Sequence, residues 1–268
     1  VKRETLSEKI IRLKNYSGED EVITSFELKD ILSYQKEDIP FMSQLSLLDY
    51  YTDGFIGGEL ITISGPTGAG KSLLAQTFTA NFQKQDITSC WFSYELTLRQ
   101  FLNRFPVPMP CFALPKILKP YSLSWLEDRI IESVVKYGVK AVFIDHLHYL
   151  FDMINFRNAS LQIGILIRQL KFLAVRLNIA IFLLCHMTKT KFSEEPSGSD
   201  VRDSSFVTQE SDTVLIIWRV KEPDSDNYEN RAKILIDKAR REGSFKKYIK
   251  IIKNKGLLEE WINPAESG

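Results

Sequence analysis

Apolar residues in this chain cluster in short unbroken runs, and stretches of helical periodicity separate the runs. Residues 60–64, 87–93, 140–144 and 179–185 are strand-like, and near-continuous apolar runs of this kind belong to strands covered on both faces. A helix is expected after residue 72. Another is expected over 97–104, ended by the proline-rich stretch 105–110. A third opens at Ser124-Trp125-Leu126-Glu127, which has capping-box spacing, and stops at Gly138. Ile163, Leu166, Ile167, Leu170, Leu173 and Leu177 recur at helical spacing over 161–177. Such alternation predicts an α/β fold with a mostly parallel sheet flanked by helices.

After residue 210 the pattern changes. Segments 213–220, 232–237 and 246–252, separated by short polar turns, predict antiparallel hairpins that extend the sheet. Near the start, Leu6, Ile10 and Leu13 share one helical stripe, and Gly18 with Glu19-Asp20-Glu21 interrupts it. We therefore expect an extension or linker at 1–44, with a short amphipathic helix that needs an apolar partner on its own domain or on a neighbouring copy. The main domain is expected at 45–268.

Composition changes this picture little. The 268 residues are 44% hydrophobic, which supports a substantial core and excludes wholesale disorder. A net charge of +1 argues against a stand-alone, strongly basic nucleic-acid module. No apolar run has membrane-spanning length, and the first residues lack the apolar core of a signal peptide. The start at Val1 rather than Met points to a piece of something longer. Cys90, Cys111 and Cys185 lack metal-ligand spacing and suit a reducing compartment. His146 and His148 stand two apart after a strand with no third ligand apparent in the sequence.

The strongest chemical signal is Gly65-Pro66-Thr67-Gly68-Ala69-Gly70-Lys71-Ser72. It is a complete P-loop set between an expected strand and an expected helix. Its backbone N–H groups and the new helix end would cradle the phosphates of ATP or another nucleoside triphosphate. Lys71 would reach the β- and γ-phosphates, and Ser72 would help hold Mg²⁺. Asp145, at the tip of the 140–144 strand, is placed to share that Mg²⁺. Glu95, after another strand, is either the carboxylate that polarises the attacking water or a helix-start glutamate that favours the macrodipole.

These motifs together resemble the ATPase domain of DnaB-type hexameric replicative helicases, a RecA-like P-loop NTPase family that includes phage primase–helicases and Twinkle. The resemblance covers roughly 45–255. Gly57 to Ser64 leading into the P-loop resembles the family's entry strand, and Phe143-Ile144-Asp145-His146-Leu147 its Walker B strand. Phe92-Ser93-Tyr94-Glu95-Leu96 resembles the catalytic-glutamate segment, and Arg104 falls on the arginine of the next helix. Leu183 to Lys189 resembles the sensor strand, with His186 as in phage-type members. Ser199 to Ser205, with Gln209, Ser211 and Asp212, resembles the loop that lies against single-stranded DNA, with Ser205 where bacterial members carry glycine. Ile236-Asp237-Lys238-Ala239-Arg240 resembles the Lys-x-Arg finger that reaches a neighbouring subunit's ATP site.

The resemblance implies a ring, expected hexameric, of ATP-driven DNA helicase subunits. Glu95, Lys71, His186, Lys238 and Arg240 would be catalytic, Arg104 would contact nucleotide, and Lys189, Lys191, Arg202, Asp203 and Ser205 would meet DNA. A primase or helicase loader is an implied partner. The implied location is the cytoplasm, at a nucleoid or viral replication site, with a mitochondrial one left open. The competing readings are a recombinase-like or clock-type RecA-fold ATPase, and a nucleotide-binding module that does not hydrolyse.

Overall fold

Alternation along each strand sends successive side chains to opposite faces of one sheet, and that alternation splits the core into two layers. A computed structural model describes residues 4–34, 37–150, 159–187, 204–221, 228–243 and 246–261. The chain divides into two compact units, Val1–Asp38 and Ile39–Gly268.

The first unit holds helices α1 (Leu6–Lys14) and α2 (Ser25–Ser33). Each opens with a complete capping box, Thr5 with Glu8 and Thr24 with Glu27, and neither buries a residue. The stripe of Leu6, Ile10 and Leu13 thus forms the expected helix, while α2 was not anticipated.

The second unit runs α3 (Ser46–Thr52), β1 (Leu60–Gly65), α4 (Lys71–Gln83), β2 (Ser89–Ser93), α5 (Leu98–Leu102), α6 (Leu123–Tyr137), β3 (Ala141–Asp145), a 3₁₀ turn (Leu147–Leu150), α7 (Ala159–Leu177), β4 (Ala180–His186), α8 (Ser204–Glu210), β5 (Thr213–Lys221), β6 (Tyr228–Ala239), β7 (Lys247–Asn254) and β8 (Leu257–Glu260). The eight-stranded sheet has the order β2-β3-β4-β1-β5-β6-β7-β8. Its first five strands are parallel and the rest antiparallel.

One layer contains Ile61, Ile63, Trp91, Phe143 and Phe182 against Leu74, Phe78 and Phe82 of α4. Trp91, Phe143 and Phe182 stack in a row across three strands, with centroids 4.7 and 4.6 Å apart. The other layer contains Leu60, Phe92, Val142, Ile144, Ile181 and Leu183 against α6 and α7. Burial on both faces is the physical reason these strands carry no polar alternation.

Local boundaries differ from the sequence expectation in three places. Helix α5 ends at Leu102, so Arg104 lies in the exposed turn beyond it. Helix α6 is capped by Ser122, whose extended backbone lets its side chain accept the Trp125 N–H, and Ser124 falls inside the helix. A box needs the extended conformation as well as the spacing, and only Ser122 has both the position and the backbone. Gly138 does close α6, at φ 62°. Strand β8 is four residues after a Lys255-Gly256 turn, too short for a periodicity signal.

Arg241 clamps the polar turn after β6 to the segment that leads into β1. Its guanidinium donates to the carbonyls of Thr52, Asp53 and Gly54 and lies 2.9 Å from Glu59. Burial pushes the Glu59 carboxyl above its ordinary value, and the Ile56 N–H and Arg241 oppose this. Arg241→Ala is therefore expected to destabilise the fold by about 3 kcal/mol, since it strands a buried carboxylate. A loss of unfolding free energy under about 1 kcal/mol in denaturant titration would show that Glu59 is satisfied without it.

Candidate active site

Parallel strands deliver their C-terminal tips to one edge of the sheet, and ligands of open α/β sheets bind there. The first tip is β1, which ends at Gly65 and turns into α4 through the P-loop. A Cβ on Gly65 would sit 2.1 Å from the Ile217 carbonyl oxygen, so no larger residue fits there. Gly70, at φ 110°, starts α4, and no side-chain hydrogen bond caps the helix. Its first N–H groups are thereby left for an anion.

Lys71 is buried and folds back on the loop, donating to the carbonyls of Gly65 at 2.9 Å and Pro66 at 3.1 Å. Burial lowers its pKa, while Asp145 and Glu95 act in the opposite direction. Ser72 Oγ donates to Asp145 Oδ2 at 2.8 Å. Asp145 is 4% exposed at the tip of β3, and burial pushes its carboxyl up while the Ser72 bond pulls it down. An oxygen-only pair holding a desolvated carboxylate fits a hard divalent cation such as Mg²⁺, whose charge would offset that desolvation. Beside the loop a cavity of about 240 Å³ is lined by Gly68, Ala69 and Gly70 together with Arg219, Arg231 and Lys253. These three cations, from β5, β6 and β7, were not singled out in the sequence because only the sheet brings them to the loop.

Glu95 follows β2 and faces two imidazoles. His186 Nε2 lies 3.0 Å from Glu95 Oε1, and His146 Nδ1 lies 2.8 Å from the same oxygen. His146, then His186, hold the Glu95 carboxyl well below the usual carboxylate range. The sequence pointed to Glu95 and His186 but not to His146. The third group missing beside His146 is Glu95, 51 positions earlier in the chain and brought there by β2–β3 pairing.

Lys238 and Arg240 lie elsewhere. Lys238 Nζ donates to the carbonyls of Thr208, Gln209 and Ser211, at and just beyond the end of α8. Arg240 pairs with Asp212 at 2.8 Å and donates to the Gln209 carbonyl. Asp212 also accepts from Lys171 and from the Leu60 N–H. Both cations thus bond to one turn of their own subunit. That turn lies beside Leu60, at the far end of the six-residue β1, roughly 17 Å from Gly65.

Arg104 is exposed and makes no side-chain hydrogen bond to the described residues. Ser205 falls within α8. Lys189, Lys191, Arg202 and Asp203 lie outside the described residues.

A RecA-like P-loop NTPase fold, with a parallel sheet extended by antiparallel C-terminal strands, is what this architecture defines. The chain belongs to the DnaB-like helicase C terminal domain family, whose profile matches residues 119–255. A solved ATPase domain superimposes with a TM-score of 0.72 at 17% identity, covering 88% of this chain and 96% of that one. A DnaB-like replicative helicase, solved to study its interactions with primase, gives a TM-score of 0.72 at 18% identity over 96% of this chain and 72% of that one. The replicative DNA helicase DnaB of Mycoplasma pneumoniae is 27% identical over 222 residues, 68% of this chain and 47% of the relative. The chain spans about half the length of the curated relatives it matches.

Proposed function

We propose that this chain is the motor domain of an ATP-dependent replicative DNA helicase. It would act as a ring, hexameric by family, that translocates on single-stranded DNA with ATP sites between subunits. Residues 45–268 would form the motor and 1–44 a leading extension. A primase or loader is the expected partner, and the cytoplasm, at replicating DNA, the expected site of action. Among the described residues no helix is long and apolar enough to cross a membrane.

One observation carries the reading: the phosphate cradle and the Lys-x-Arg pair stand at opposite ends of β1. An arginine side chain cannot cross roughly 17 Å of sheet. Lys238 and Arg240 therefore have no role at their own P-loop and are suited to another copy's. In that arrangement Gly65 to Gly70 and Lys71 hold the ATP phosphates, with Arg104 as a further nucleotide contact, and Ser72 and Asp145 hold Mg²⁺. The metal would neutralise charge on the phosphate oxygens. Glu95 orients the attacking water and takes its proton. Lys238 and Arg240 of a neighbour stabilise charge on the transferring phosphoryl group.

Two hydrogen-bond arrangements support a coupled cycle. Glu95 paired with two imidazoles is a weak base, because its pKa is depressed. When His186 turns to a γ-phosphate it gives up one of those contacts and Glu95 regains part of its basicity, with the larger effect of His146 remaining. Lys238 and Arg240 are tied to the end of α8. If they reach a neighbour's phosphates, those bonds break, and the change passes to the segment in which Lys189, Lys191, Arg202, Asp203 and Ser205 are proposed to meet DNA. Contacts there would be to backbone phosphates, with little sequence preference.

Strand displacement on a forked duplex, with particle mass measured in ATP and Mg²⁺, tests this. Closed rings that displace the strand are expected. Filaments, or ATP turnover by monomers indifferent to DNA, would reject the reading in favour of a recombinase-like or regulatory ATPase.

A further inference from the structure

Three adjacent parallel strands end in a group that could bind a transition metal. Glu95 follows β2, His146 follows β3 and His186 ends β4, and β2, β3 and β4 are neighbours in the sheet. One ligand atom from each lies within 4.8 Å of the other two. Glu95 Oε1 is already 2.8 Å from His146 Nδ1 and 3.0 Å from His186 Nε2. A tetrahedral zinc ion with bonds of about 2.1 Å sets neighbouring ligand atoms about 3.4 Å apart. The two short pairs need to open by roughly half an ångström, and the rings sit with centroids 4.4 Å apart. His146 is 8% exposed and its ring packs on Tyr149 at 4.9 Å, so one ligand is already fixed in place.

We infer that Glu95, His146 and His186 form a site for a borderline first-row divalent cation of the zinc class, filled in the nucleotide-free chain and inhibitory because it occupies Glu95. Two imidazoles with one carboxylate suit Zn²⁺, Ni²⁺ or Co²⁺ and are a poor set for Mg²⁺, which prefers oxygen donors. The neighbouring pair of Ser72 and Asp145 has the opposite, oxygen-only character. Asp145 and His146 are consecutive, so two sites of different metal preference share one strand tip. Zinc binding itself is independent of the helicase reading. Only its inhibitory effect rests on Glu95 being the base.

The test is calorimetric titration of Zn²⁺ into the full, chelator-treated, nucleotide-free chain. It is run in a Cys111→Ser background, which removes the exposed thiol. About one ion per chain is expected, with affinity lowered at least tenfold in His146→Ala and also in Glu95→Gln. The second variant changes a partly exposed side chain by one atom, so it guards against misfolding of the first. A visible absorption band of four-coordinate Co²⁺ should appear in the parent and be lost in His146→Ala. Zinc should also slow ATP turnover in the parent, and excess Mg²⁺-ATP should weaken zinc uptake. No stoichiometric uptake by the parent, or undiminished uptake in both variants, would overturn the inference. Zinc uptake by a chain that never hydrolyses ATP would uphold the site and reject the role of Glu95 instead.

Discussion

Arg240→Ala is expected to lower ATP turnover by about a thousandfold or more while each subunit still binds nucleotide. An arginine supplied to a phosphoryl-transfer site from a neighbour contributes on that scale. Within its own subunit Arg240 is half exposed and pairs with Asp212, which keeps Lys171 as a second cation and the Leu60 N–H as a donor. Its loss therefore removes one arm of a shared contact and leaves no bare buried carboxylate, so the fold should survive with a small change in melting temperature. The decisive measurement mixes Arg240→Ala with Glu95→Gln subunits. Each variant is expected to be inactive, or nearly so, alone. A site shared between copies places an intact Glu95 opposite an intact Arg240 at some interfaces, and part of the activity returns. No rescue at any mixing ratio would place both residues in one subunit's site and reject the split arrangement.

Lys71→Ala is expected to reduce turnover at least about a hundredfold, on the scale of losing one preorganised charge donor at the reacting phosphate. The effect on stability runs the other way. In the nucleotide-free chain Lys71 is buried against two loop carbonyls, and burial opposes its charge. Replacing it relieves that desolvation, so the unliganded melting temperature should hold or rise. Saturating Mg²⁺-ATP at about a hundred times its dissociation constant stabilises a folded site by about 2.7 kcal/mol. That ligand-induced shift should be present in the parent and absent in the variant. An unchanged shift in Lys71→Ala would mean that the P-loop is not the phosphate cradle.

The P-loop was legible in the sequence because its chemistry is carried by consecutive backbone positions. Gly65 to Ser72 needs only one turn between one strand and one helix, and the structure supplies both. The layered core was legible for a similar local reason, since strands that are apolar without a break must be covered on both faces. Helix limits were less so: the Ser124 box is a correct pattern beside a better cap at Ser122. His146 stood out in the sequence only as half of a pair with His148, and its actual partner Glu95 was hidden because it is distant in the chain. Arg241 lies in what the sequence shows only as a short polar turn, and its role as a clamp on the buried Glu59 comes from a partner distant in the chain.

The amino-acid sequence by itself determined the nucleotide loop, the α/β class and the residue types available for phosphate chemistry, since each depends on neighbours within a turn or a strand. Only the tertiary structure decided that Glu95 lies between two histidines and that Lys238 and Arg240 point away from their own P-loop. Both facts follow from strand order and register, which arise when distant apolar runs pair to bury common faces.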